Sequence, residues 1–250
     1  MYPVLFRIGN VAIYSYGFML AVGVAVSLVL IMRQAKKEGI DEEPVLDLTI
    51  ISVLAGLIGA RLFYVFFYDW DYYRLNLLQI LDFRNEGLVW YGAFILGAVA
   101  AIVYMRIKKL PFWRMIDLVA PYLAVGYAFG RIGCFLNGCC FGTPTMMPWG
   151  VVFPGLDLVP RHPSQLYSAL LSLGLFIYLL RLYPRRRFDG QVFLTYIIGY
   201  AILRFGVEFF RENLLVWAGF SIAQVVAAGI LVIAGVFYWY LSRKALEPGE

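Results

Sequence analysis

Seven stretches of the chain are apolar almost without interruption, at about 11–32, 46–66, 88–105, 115–135, 163–180, 190–210 and 218–241. Each approaches the roughly 20 residues that an α-helix needs to cross the hydrocarbon core of a bilayer. Polar residues gather between the stretches in short clusters. The pattern predicts an all-α integral membrane protein with seven transmembrane helices in a single transmembrane domain, residues 1–250. Two connections stand apart. The segment 67–87 sets Tyr68, Trp70, Tyr72 and Tyr73 among charges, the mixture expected at a membrane interface. The segment 136–162 is rich in proline and glycine and reads as an extracytoplasmic loop. Only Arg7 is charged ahead of the first stretch, and no small-residue cleavage pattern follows it, so that stretch is expected to be an uncleaved span.

The charges orient the pattern. Of the 21 basic residues, thirteen fall on one side of the seven spans, and five on the other: Arg7, Arg74, Arg84, Arg161 and Arg211. The positive-inside rule then places the amino terminus outside and the carboxyl terminus in the cytoplasm. Three arginines remain inside spans: Arg61, Arg131 and Arg204. Counted from the cytoplasmic helix ends at ~1.5 Å per residue, all three lie roughly 21–24 Å up, in the outer-leaflet half. A cation at bilayer depth costs at least about 2.5–3.5 kcal/mol, so it marks function by default. A guanidinium fork suits phosphate, and three at one depth point to a phosphate-bearing ligand such as a membrane lipid. The structural reading, arginines pinning helices together, is weakened by the scarcity of acids within the spans.

Composition agrees with this class. The chain is 62% hydrophobic and 15% charged, a balance that excludes a soluble domain of 250 residues. The net charge of +5 follows from topology. No basic stretch interleaved with aromatics supports a nucleic-acid partner.

Candidate chemistry collects in three places. Tyr200, Arg204, Glu208 and Arg211 fall at spacings of four, four and three, which puts them on one face of the sixth span. Lipid would penalise that stripe, so it faces protein or a wet cavity, with Glu208 pairing either Arg204 or Arg131. The fourth span ends in Gly130-Arg131-Ile132-Gly133-Cys134-Phe135-Leu136-Asn137-Gly138-Cys139-Cys140-Phe141-Gly142, whose glycines allow a broken helix end and close backbone approach to a phosphate. Its three cysteines read as packing residues, a disulfide, a redox pair or a nucleophile. Zinc is not expected, because the spacing is not that of a closed site and only one histidine is available. That histidine, His162, opens the fifth span and is either a proton shuttle or a hydrogen-bonded structural residue. Tyr16 and Tyr91, near outer span ends, read from topology as interface anchors.

Residues 130–142, the block from His162 to Tyr167, and Gly199-Tyr200 through Arg204, Glu208 and Arg211 resemble the prolipoprotein diacylglyceryl transferase family. So do Ser15-Tyr16-Gly17, Gly59-Ala60-Arg61 and Tyr91-Gly92-Ala93-Phe94, in the same order along residues 8–243. The resemblance implies a bacterial inner-membrane enzyme that moves the diacylglyceryl group of phosphatidylglycerol to the lipobox cysteine of a prolipoprotein signal peptide, with no cofactor. It implies that Arg131 and Arg204 bind the headgroup and stabilise the leaving phosphate, and that Glu208 orients one of them. Tyr16, Arg61, Asn137, Gly142, Tyr200, Cys134 and Cys139 would line the lipid site. The chain departs from the better-known motif, which has asparagine at Cys134, glutamate at Cys139 and histidine at Tyr91. The thiol's base is then Tyr91, His162, Glu208 or water. A lipid or anion transporter, a membrane thiol redox protein, and a divergent member acting on another thiol or lipid are the competing readings.

Overall fold

The computed structural model describes every residue except 10, 82–86, 213–214, 218 and 247–250. The expected interfacial segment 67–87 therefore lies partly outside the described residues, and Arg84 wholly so. A hairpin of β1 (Val4–Ile8) and β2 (Val11–Tyr14) leads into α1 (Ser15–Lys37) and α2 (Glu42–Phe67). A short α3 (Trp70–Tyr73) and a 3-10 turn (Leu77–Leu81) follow, then α4 (Trp90–Ile107), α5 (Phe112–Asn137), α6 (Ser164–Leu182) and α7 (Gln191–Glu208). A second hairpin, β3 (Leu215–Trp217) with β4 (Phe220–Ser221), introduces α8 (Ile222–Lys244). The hairpins are too short for the hydropathy pattern to have announced them.

Among the described residues, six helices are long and apolar enough to span a membrane: α1, α2, α4, α5, α6 with its 3-10 extension, and α8. The expected count was seven. The other long helix, α7, has 18 residues and carries Gln191, Arg204 and Glu208, which dilute its apolar character. The outward faces invert the soluble pattern. On α8 alone Ile222, Val225, Val226, Val232, Ile233 and Val236 are exposed, which only a lipid environment tolerates. The chain is a multi-pass membrane protein.

Two compact units divide it: residues 1–31 with 116–250, and residues 32–115. In the smaller unit α2 starts at Asp41, whose carboxylate accepts from the Glu43 N–H at 3.2 Å. It packs on α4 through a glycine contact: a Cβ at Gly59 would strike the Gly92 carbonyl and Leu96, and one at Gly92 would strike the Gly59 carbonyl and Phe63. Between membrane helices, where water drives no association, such close backbone approach supplies the attraction. The same unit holds Arg61, only 1% exposed. Its Nε donates to the Ile80 carbonyl at 3.0 Å, and its Nη2 to the Gln79 carbonyl at 2.9 Å and Tyr73 Oη at 3.2 Å. One buried guanidinium thus holds the α3 arm to α2.

In the larger unit Ser27 Oγ of α1 donates to the Tyr122 carbonyl of α5 at 3.0 Å. The start of α7 is capped from another helix. Asp117 of α5, fully buried, accepts from the backbone N–H groups of Gly190 at 2.7 Å and Phe193 at 2.8 Å. Two of the four N–H groups that every helix start leaves unpaired are met in this way. At the opposite end Ser221 and Gln224 form a reciprocal capping box on α8.

Candidate active site

The larger unit assembles most of the expected residues where α5 and α7 end. On α7, one turn apart, Arg204 Nη1 donates to Glu208 Oε2 at 2.5 Å. Glu208 Oε1 accepts from Ser221 Oγ at 2.9 Å. The Glu208 side chain is 3% exposed and that of Arg204 is 21%. The serine that caps α8 therefore also fixes the carboxylate of α7. Of the two partners open to Glu208 in the sequence, the structure selects Arg204.

Arg131 is arranged differently. Its guanidinium lies over the Tyr127 ring at 4.8 Å, one helical turn back on α5. Tyr127 meets Tyr200 of α7 edge-on at 5.2 Å. Tyr200 lies within electrostatic reach of both Arg131 and Arg204. Among the described residues no carboxylate pairs with Arg131, and the buried Tyr127 hydroxyl, close to both Arg131 and Tyr200, makes no well-aligned hydrogen bond to either. A half-buried cation beside an orphaned hydroxyl is chemistry arranged for an anionic ligand.

The loop after α5 closes over this region. Gly142 donates its N–H to the His162 carbonyl at 2.8 Å, and Thr143 donates to the Phe210 carbonyl at 2.9 Å. A Cβ at Gly142 would collide with the Phe210 carbonyl and with His162, so this position accepts only glycine. His162 Nδ1 faces Tyr167 Oη at 3.0 Å, and Trp149 Nε1 donates to that same oxygen at 2.7 Å. Arg161 braces the loop with bonds to Asp157 at 2.8 Å and Glu212 at 3.2 Å. That guanidinium holds the Asp157 carboxyl below its usual range.

Tyr16, 41% exposed, stands beside Gly133 within electrostatic reach of Arg131 and the three cysteines. Asn137 closes α5, its side chain in reach of the Cys139 thiol. Cys134, Cys139 and Cys140 are free thiols whose sulfurs all lie within 4.8 Å of one another. The Cys140 thiol is held below the ordinary thiol range by the neighbouring Cys134 and Cys139 thiols and by the positive charge of Arg131 and Arg211.

Arg131, Arg204, Glu208, Tyr16, Asn137, Gly142, Tyr200, His162, Cys134 and Cys139 thus belong to one unit. Arg61 and Tyr91 belong to the other. Arg61 engages the α3 arm, as described above, and Tyr91, 67% exposed, packs edge-on against Trp90 in the first turn of α4. Tyr127, Ser221 and Gln165 were missed by the sequence reading. Tyr127 could have been found from its four-residue spacing to Arg131, and Ser221 from its capping-box spacing to Gln224. Gln165, whose Nε2 donates to the Cys139 carbonyl at 2.6 Å, lies inside the His162–Tyr167 block that carries the family resemblance, and that block could have pointed to it.

The fold and site define a multi-pass membrane protein with paired guanidiniums set beside aromatic hydroxyls and thiols. Within that class the chain belongs to the prolipoprotein diacylglyceryl transferase family, whose model matches residues 3–240. It is 38% identical over 242 residues to the phosphatidylglycerol–prolipoprotein diacylglyceryl transferase of Clostridioides difficile, covering 96% of each chain. It is 37% identical over 248 residues to the protein of that name from Finegoldia magna, covering 99% of this chain and 98% of the relative. The corresponding protein of Thermosynechococcus vestitus is 35% identical over 255 residues, covering 98% and 95%.

Proposed function

We propose that this chain transfers the diacylglyceryl group of phosphatidylglycerol to the thiol of the lipobox cysteine in a prolipoprotein signal peptide. Glycerol phosphate leaves and a thioether forms. The protein works in the bacterial inner membrane with α7 as its seventh span, the amino terminus outside, the carboxyl terminus cytoplasmic and the site toward the outer leaflet. Family membership supports the reaction. The observation that carries the assignment of the site is Arg131, a half-buried cation with no carboxylate partner among the described residues, stacked on a tyrosine whose hydroxyl is unsatisfied.

The chemistry follows from these groups. The sulfur attacks an sp3 carbon of the diacylglyceryl moiety. The C–O bond breaks and its electron pair leaves with the phosphate. Arg131 receives that phosphate, joined by the Tyr127 hydroxyl, and Arg204 adds a second charge from the facing helix. Glu208, held by Ser221, keeps Arg204 in place. Tyr16, Asn137, Gly142, Tyr200, Cys134 and Cys139 line the lipid site, and Arg61 supports the interfacial arm. The incoming thiol loses its proton to Tyr91, His162, Glu208 or water.

The test is direct. The detergent-purified protein is incubated with phosphatidylglycerol and a lipobox peptide bearing a free cysteine, and the peptide is read by mass spectrometry. A diacylglyceryl mass gain is expected, absent with Arg131→Ala and with a serine-substituted peptide. No gain from folded, lipid-bound wild type refutes the assignment.

A further inference from the structure

The spacing of Cys134, Cys139 and Cys140 does not announce a metal site, yet the fold gathers the three sulfurs. Helix α5 carries Cys134 and stops at Asn137. The chain then reverses through Gly138 (φ 78°) and Cys140 (φ 62°), both left-handed. The reversal is locked. The Cys139 N–H donates to the Cys134 carbonyl at 3.1 Å, Gln165 Nε2 to the Cys139 carbonyl at 2.6 Å, and Ser164 Oγ to the Cys140 carbonyl at 2.9 Å. A non-glycine residue at positive φ costs free energy and persists only where its surroundings impose it. Here the imposed turn brings Cys140 Sγ back toward the other two, all within 4.8 Å.

We propose that these three thiols hold a soft divalent cation of the Zn2+ type, whose fourth position takes the substrate thiol and presents it as a thiolate. The proposal rests on the transfer reading and replaces its open choice of base with metal coordination. Three sulfurs at about 2.3 Å from a tetrahedral ion stand ~3.8 Å apart, a small contraction of the observed cluster. Three protein ligands leave the fourth position open, and Cys140, the exposed member, leaves it approachable. Binding three thiolates gives the complex one net negative charge, and a fourth gives it two. Arg131 and Arg211 are the positive charges at hand. Gln165, 1% exposed, has an Oε1 with no partner, an acceptor beside the cluster for a metal-bound water or ligand.

The steps balance without electron transfer. Three S–H protons leave to solvent as three metal–sulfur bonds form. The incoming thiol displaces a water and loses its own proton on coordination, since a metal-bound thiol is deprotonated outright. Its sulfur then forms the S–C bond while the C–O bond breaks toward the phosphate. Two of the candidate bases already hold partners, His162 facing Tyr167 and Glu208 holding Arg204 and Ser221, and coordination gives the thiol's proton another route.

The experiment uses the full chain in detergent under a non-thiol reductant, titrated with Co2+ alone. The expected result is one Co2+ per chain, with sulfur-to-cobalt charge-transfer bands and tetrahedral d–d bands that Zn2+ abolishes. A lipobox peptide should shift those bands, and its serine version should not. Both readouts use wild type, so they stand even if a variant misfolds. Cys134→Ser should weaken Co2+ binding by at least ~100-fold, because even partners outside the ligand set are worth about 10–100-fold. Stripping metal should slow thioether formation at least tenfold, with recovery on adding Zn2+. No charge-transfer band from folded, reduced protein, or transfer indifferent to stripping, overturns the metal site. In the second case, transfer lost in Arg131→Ala leaves the transfer reading standing. Cobalt binding with a peptide-dependent shift but no transfer from phosphatidylglycerol leaves the metal site and refutes the reaction.

Discussion

Removing Arg204 and removing Arg131 should have unequal consequences for the fold, although both should stop turnover. Arg204→Ala removes the 2.5 Å bond to Glu208, whose side chain is 3% exposed and whose other oxygen accepts from Ser221. Breaking a buried pair from one side costs about 3–5 kcal/mol, because the desolvated carboxylate loses its cation. For a chain of this size that lowers the melting temperature by roughly 10 °C. Arg131→Ala takes the cation from no carboxylate among the described residues and forfeits the contact with Tyr127, worth about 0.5–2 kcal/mol. Thermal unfolding in detergent, followed by tryptophan fluorescence, should separate the two variants by several degrees. Transfer should fall by at least ~100-fold in both, the usual loss on removing a group that stabilises developing charge. The double variant Arg204→Met with Glu208→Leu should regain most of the lost stability and none of the activity, since apolar replacement of a buried pair is often neutral. If Arg204→Ala melts like wild type, or the double variant is no more stable than the single, Glu208 is not a buried charge held by Arg204.

Asp117→Ala should cost about 3 kcal/mol by leaving the Gly190 and Phe193 N–H groups without their acceptor, and thermal unfolding should show it while KM for lipid stays unchanged. Gly59→Leu should separate α2 from α4 at the Gly92 carbonyl, read as loss of folded protein on size-exclusion chromatography in detergent. The Asp157–Arg161 brace should persist above the ordinary aspartate pKa of about 3.9 and be lost only as pH falls through the lower folded value. Pepsin cleavage between residues 151 and 161 should therefore stay slow down to about pH 4 and rise below it. Cleavage already rapid at pH 5 would refute the brace.

The helices were legible because lipid reads hydropathy directly, and each expected span overlaps a helix of at least 18 residues. Boundaries moved where capping chemistry overrode hydropathy. Helix α2 begins at Glu42, earlier than its apolar run, because Asp41 caps it, and α8 begins at Ile222 because Ser221 and Gln224 close a capping box. The hairpins were not legible: strands of two to five residues carry too little alternation to register. The division into two units was hidden as well, since apolar stretches are alike in composition and do not record which neighbours they meet.

The site was legible to the extent that its members share a helix face. Tyr200, Arg204 and Glu208 could be placed together by counting fours, and so could Tyr127 with Arg131. What counting cannot reach is contact between elements. Counting along the spans gives Arg61 the same expected depth as Arg131, and the sequence gives no reason to separate them. The structure separates them by their acceptors: Arg61 donates to the carbonyls of a folded-back arm, while Arg131 rests on a ring with no carboxylate partner among the described residues. An intramembrane cation is costly in either setting. In the first the protein itself offsets that cost, so the residue is explained by the fold. In the second no carboxylate offsets it, and it is that deficit, more than the presence of arginine, that supports placing the phosphate there in the proposed reaction.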